Sequence, residues 1–209
     1  MTPEPDHSEA PVDEANLLPA HPCLGREIIW TALAILVVMG ITAFQLRQQG
    51  RLWGCACGEL RVWGNAWSSH NSQHLVDPYS FTHVLHGLIF YGLLATFLPR
   101  QSLYPRLGLA AAIEAVWEIV ENTEFVIQRY RTATMSFDYQ GDTVVNSLGD
   151  ILCCIAGFAL ARHLGFWGSL ALFLAIELVL IILIKDSLLL NIVMLLYPLD
   201  AVKAWQLGS

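Results

Sequence analysis

LGLAAAIEAVWEIVENTEFV, residues 107–126, is long and apolar enough for a membrane helix, yet it places Glu114, Glu118 and Glu121 on one side. At about 100° per residue, steps of four and three keep these carboxyls within a stripe about 40° wide. Roughly twenty helical residues cross a hydrocarbon core about 30 Å thick, and an ionised group at its centre costs about 2.5–3.5 kcal/mol. Three stacked acids therefore need a polar interior, arginine partners from neighbouring loops, or a bound cation, because like charges at a shared site raise one another's pKa. Glu124 lies near the end of the block, at headgroup level.

The flanking blocks repeat the pattern. His83 and His86, in 81–98, are about 60° apart on a helix. Neutral imidazoles so placed suit metal ligation or proton transfer; the simpler reading is one carbonyl-bonded histidine and one packing residue. Asp142, Asn146 and Asp150, spaced D-x-x-x-N-x-x-x-D, open a block that runs to Leu164. Asp142 can cap that helix, whereas Asp150 lies about two turns deeper, beyond the reach of a cap. If the three faces meet, they offer the N and O donors of a borderline divalent cation. His83, His86, Glu118 and Asp142 are then the expected metal ligands, and Glu114, Glu121 and Asp150 the expected acid–base groups.

Of 209 residues, 55 % are apolar and 14 % charged, against the roughly 45–50 % apolar share of soluble chains. This composition predicts an all-α integral membrane bundle of five to six transmembrane helices. The block 28–46 carries no ionisable residue; the others are 79–98, 107–126, 142–164 and 166–184. Ser187–Tyr197 is too short for a sure span before Pro198 and reads equally as a re-entrant or interfacial segment. Residues 28–207 form one expected membrane domain behind a tail, 1–27, that is acidic, proline-rich and expected to be disordered. The tail lacks the basic start of a cleavable signal peptide. It carries most of the net charge of −7; the rest of the chain has 12 acids and 10 bases, so no basic face is left for nucleic acid.

Between the first two blocks lies a loop with Trp53, Trp63 and Trp67, expected to lie along the membrane surface. Its His70 and His74 share a face if the segment is helical and would extend a site there; a solvated polar loop explains them as well. Cys55 and Cys57 form C-x-C, Cys153 and Cys154 read as buried small apolar residues, and no paired C-x-x-C zinc spacing occurs. Glu177 reads as a polar contact between helices or a proton relay. With five spans, Arg26, Arg100, Arg106 and Arg162 fall on the N-terminal side and the other seven basic residues opposite, which favours an extracytoplasmic N-terminus. Nucleophile-elbow, Walker, H-E-x-x-H and dinucleotide motifs are absent, so soluble-enzyme templates do not apply.

Four segments in order, 63–87, 113–131, 138–150 and 190–206, resemble uncharacterised protein family 0314, a group of bacterial multi-pass membrane proteins found in alphaproteobacteria. The likeness covers residues 28–207 and implies a bacterial inner-membrane location with no assigned activity. The run DTVVNSLGD, 142–150, is also similar to a segment of VanZ-like membrane proteins. The leading functional expectation is a membrane-embedded enzyme acting on a lipid or lipid-linked substrate, with a divalent metal ion as candidate cofactor. The alternatives are a small ion, proton or solute carrier using the same cluster, and a non-enzymatic assembly factor.

Overall fold

The computed structural model describes residues 22–134 and 139–208, so the tail up to residue 21 lies outside the described residues. Those described form seven helices and no strand: α1 Pro22–Gln48, α2 Ser80–Phe97, α3 Leu103–Glu121, α4 Glu124–Ala133, α5 Val144–Ile184, α6 Leu188–Leu196 and α7 Asp200–Leu207. The fold is all-α. Three helices, 24–48, 80–97 and 144–184, are long and apolar enough to cross a membrane, fewer than the five to six expected.

The difference has identifiable causes. α3 carries Arg106 and three glutamates within its 19 residues, more charge than a lipid-facing helix holds. The block 107–126 is not one helix: α3 stops at Glu121, and Thr123 caps α4 by accepting the Val126 N–H. Two expected blocks form the single 41-residue α5, broken at Gly165 with φ 64° and ψ −173°, a conformation essentially confined to glycine. Beyond that break the chain turns back. Leu172, Phe173 and Ile176 pack against Leu85 and Leu88 of α2, and Tyr79, beside the start of α2, donates to Asp186 at 3.2 Å. The nine-residue α6 is too short to span.

Large apolar side chains of α1 (Ile29, Trp30, Leu36, Val37) and of the returning half of α5 (Leu174, Leu178, Ile182, Leu183) point outward, while Glu114, Glu118, Asn146, Ser147 and Asp150 are buried. That inversion of the water-soluble pattern suits a chain whose surroundings are lipid. Asp77 and Ser80 start α2 with a reciprocal box: the Ser80 N–H donates to Asp77 and the Asp77 N–H to the Ser80 hydroxyl. Glu177 accepts the Leu188 and Leu189 N–H groups and so caps α6 from a neighbouring helix.

α2 and the first half of α5 touch backbone to backbone. A methyl on Gly87 would overlap the Cys154 carbonyl and the Phe158 amide, and one on Gly157 would overlap the Val84 carbonyl. Because those obstacles are main-chain atoms, the helices must separate. Gly87→Ala and Gly157→Ala are each expected to cost about 1–3 kcal/mol, read as a lower midpoint of thermal unfolding in detergent; Gly92→Ala, which faces open space, should cost little and serves as control.

Asp186 supplies a pH effect. Burial, opposed by the Ser187 N–H and the Tyr79 hydroxyl, pushes its carboxyl up to about 7. The folded chain keeps this proton up to about pH 7, whereas the unfolded chain releases it near pH 4, so stability falls as pH rises across that window, by at most about 1.4 kcal/mol per unit. In detergent titrations, Asp186→Asn should flatten this part of the slope and gain most over wild type above pH 7.

Candidate functional site

The site begins with the register of α3. Ala110, Ala111 and Ala115 bury one face of that helix and let it approach its neighbours closely, which sinks Glu114 and Glu118, one turn apart, into the bundle at 0 % exposure. Facing them on α2 are the two histidines. Glu114 Oε1 lies 2.5 Å from His83 Nδ1, and Glu114 Oε2 3.0 Å from His86 Nδ1. An ionised carboxylate only accepts, so with Glu114 ionised each Nδ1 carries the hydrogen and each neutral ring keeps its lone pair on Nε2. His83 Nε2 is 3.8 Å from Asp150 Oδ2 on α5.

Glu118 Oε1 also approaches His83 Nδ1, at 3.2 Å, but that nitrogen's single hydrogen is directed at Glu114. Both Glu118 oxygens, Asp150 Oδ1 and the Asn146 side-chain amide are thus buried without a hydrogen-bond partner. Buried polar groups are normally satisfied, so this cluster is built to receive something. Two three-residue sets have donor atoms within 4.8 Å of one another: His83 with His86 and Glu114, and His83 with Glu118 and Glu121. Their N and O donors fit a borderline divalent cation.

A second polar layer lies beside the first. Asp142 accepts from Tyr139 and from Asn122, both at 2.8 Å, and its N–H donates to Asn122 Oδ1 at 2.7 Å. These bonds tie Asn122, the last residue in the α3 ladder, to Asp142, and Thr123 after it turns extended to open the break before α4. Asp142 does not cap α5; Thr143 does, accepting the Asn146 N–H at 3.3 Å. Nor does Asp142 belong to either donor set. Burial raises its pKa, partly offset by the Tyr139 and Asn122 bonds. The Tyr130 hydroxyl donates to Glu121 at 2.8 Å, and burial followed by that carboxylate pushes its phenol well up, so it stays a proton donor. Glu124 sits at the start of α4, hydrogen-bonded to Gln128 and away from the site.

The layers border a cavity of about 340 Å³. His83, Asp150, Glu121, Asp142, Tyr130 and Tyr139 make polar wall; Phe90, Ile113, Trp117, Leu188, Ile192 and Leu195 make apolar wall. His86 stacks on Phe90, with centroids 5.9 Å apart, and meets Trp117 edge-on at 6.2 Å. The structure therefore brings His83, His86, Glu114, Glu118, Glu121 and Asp150 together and sets Asp142 one layer aside. Tyr130 and Tyr139 escape a reading of the sequence because tyrosine beside a helix end looks like an interfacial residue, whereas Asn122 lies beside the glutamate stripe; the bonds of the tyrosines to Glu121 and Asp142 are legible only in three dimensions.

A separate cluster forms in the loop. Gly64 and Val76 pair their backbones, the Gly64 N–H donating to Val76 at 2.8 Å, and the fold of 54–76 brings Cys55 and Cys57 to His70 and His74. The signal in the sequence is C-x-C followed by H-x-x-x-H, a spacing outside the paired C-x-x-C pattern.

The family described as "Protein of unknown function (DUF2585)" matches residues 46–208. A UPF0314 protein of Paracoccus denitrificans is 45 % identical over 174 residues, covering 83 % of this chain and 90 % of that protein. A UPF0314 protein of Rhizobium meliloti is 46 % identical over 181 residues, covering 85 % and 92 %, and one of Brucella anthropi 41 % over 177 residues, covering 85 % and 90 %. No solved structure matches the chain.

The two buried glutamates differ in kind, and chelator-treated protein should reveal it. Glu114→Gln weakens charge-assisted bonds to two imidazoles and is expected to lower stability by about 1.5–3 kcal/mol. Glu118→Gln removes an unpartnered buried carboxylate and should leave stability unchanged or higher. Thermal unfolding in detergent decides; a greater loss at 118 would mean that Glu118 holds the histidines.

Proposed function

We propose that this chain, which belongs to the DUF2585 family of UPF0314 proteins, is an inner-membrane enzyme that performs acid–base chemistry on a lipid or lipid-linked substrate. The observation that carries the reading is the two-sided cavity. His83, Asp150 and Glu121 stand on one wall, with Glu118 buried behind His83 and both Glu118 and Asp150 holding unpartnered oxygens, and aromatic and aliphatic side chains line the other wall. About 340 Å³ suits a headgroup and the first part of a chain, with the remaining acyl length left in lipid.

In this reading five segments cross the membrane: α1, α2, α3 and the two halves of α5. α3 tolerates its acids because Glu114 and Glu118 face inward. Glu114 is a positioning residue that fixes the tautomer and orientation of both histidines, as a carboxylate does for the histidine of a catalytic triad. His83, through Nε2, takes or returns a proton at the substrate headgroup, and Asp150 is the partner across the gap. A divalent cation on His83, Glu118 and Glu121 would add Lewis acidity at the same wall.

The test is lipid analysis of a host in which His83→Ala, Glu118→Gln or Asp150→Asn replaces the wild-type chain. Each variant, present in the membrane at wild-type level, should reproduce the lipid change of the deletion. Restoration of the wild-type lipid profile by all three overturns the enzyme reading. Flux of protons or divalent cations into proteoliposomes that depends on Glu118, with lipids unchanged, would instead make the pocket a carrier site.

A further inference from the structure

We propose that Cys55, Cys57, His70 and His74 form a tetrahedral zinc-class metal site that fastens the 54–76 loop, which contributes Asn71 and Ser72 to the pocket lining. The donor geometry of the site stands on the loop and takes nothing from the chemistry proposed for the cavity; only the compartment of the thiols rests on the five-span reading. One donor atom from each of the four side chains lies within 4.8 Å of the others, and Cys55 Sγ is 3.3 Å from His70 Nδ1. His74 is only 2 % exposed, yet neither of its ring nitrogens has a hydrogen-bond partner. A buried imidazole in that state is costly, and a cation among the four donors would remove the cost. The Cys57 N–H points at Cys55 Sγ at 3.2 Å and the Glu59 N–H at Cys57 Sγ at 3.5 Å. Main-chain dipoles so directed stabilise thiolates, as the groups around metal-bound sulfur do. Two thiolates with two imidazoles are a donor set for tetrahedral Zn²⁺, and each cysteine releases its proton as the metal binds.

In the structure the Cys55 and Cys57 sulfurs are paired with each other. A C-x-C disulfide encloses a single residue, so it restrains no chain beyond 55–57, and it leaves both nitrogens of His74 unpartnered. The metal, by contrast, ties 55–57 to 70–74, the segment that contributes Asn71 and Ser72 to the pocket wall. Its thiols also lie on the membrane side that carries seven of the eleven basic residues. With five spans the positive-inside rule favours the cytoplasm for that side, where thiols are kept reduced.

The experiment uses the full chain in detergent, reduced, stripped of metal and titrated with Co²⁺. Thiolate-to-cobalt charge-transfer absorption and tetrahedral d–d bands should saturate at about one equivalent and vanish on adding Zn²⁺. Only sulfur-bound cobalt gives the charge-transfer band, so ions in the carboxylate pocket do not contribute. Cys57→Ser, at an exposed position, should weaken cobalt binding by at least about tenfold, while Glu118→Gln keeps the band. Alkylation of wild-type protein as purified needs no variant. Cys55 and Cys57 that become reactive only after a chelator support the site; those that become reactive only after a reductant, or are open from the start, overturn it.

Discussion

A carboxylate withdrawn from water must meet donors at fixed distances, and the rest of this bundle is arranged around meeting that demand at Glu114. Two imidazoles on the neighbouring helix supply the donors, which sets the rotation of α2 against α3 and points the free nitrogen of His83 toward Asp150. Once Glu114 takes the only hydrogen of His83 Nδ1, Glu118 has none. The unpartnered oxygens of the site follow from this arithmetic of donors, since three carboxylates surround two rings.

The geometry holds because the helices cannot slide. Gly87 and Gly157 let α2 and α5 meet at main-chain contact, and small residues are how membrane helices gain packing where lipid offers no hydrophobic drive. Close packing transmits position: the α2–α5 seam places His83 opposite Asp150, and the alanine face of α3 places Glu114 opposite both histidines. At the pocket end, the Thr143 N–H donates to Ser72 and the Val144 N–H to Leu52. The loop's backbone thereby satisfies the free N–H groups at the buried start of α5.

Much of this was legible in the chain. Helical spacing set the histidines and the acids on single faces, the block 79–98 matches α2, and the blocks 142–164 and 166–184 fall on the two halves of α5 either side of Gly165. What escaped depends on contacts between distant residues. At the end of α3, Asn122 bonds Asp142, twenty positions on; no local propensity contains that. Asp142 looked like a ligand or a cap; it stands outside both donor sets, bonded to Tyr139 and Asn122, and Thr143 caps the helix instead. The expected five to six spans became three helices apolar enough to cross, since two blocks join in the one helix α5 and α3 carries four charged side chains.

By itself the sequence determined the helical class, the lipid-suited outer surface and the stripes of titratable groups, because periodicity and hydropathy are properties of short segments that each residue carries with it. The tertiary structure alone decided which carboxylate is held and which is left open. It also decided that a C-x-C and an H-x-x-x-H share one corner of a loop. Both outcomes turn on a few ångströms between residues far apart in the chain, and those distances are set by how the helices and the loop close on one another.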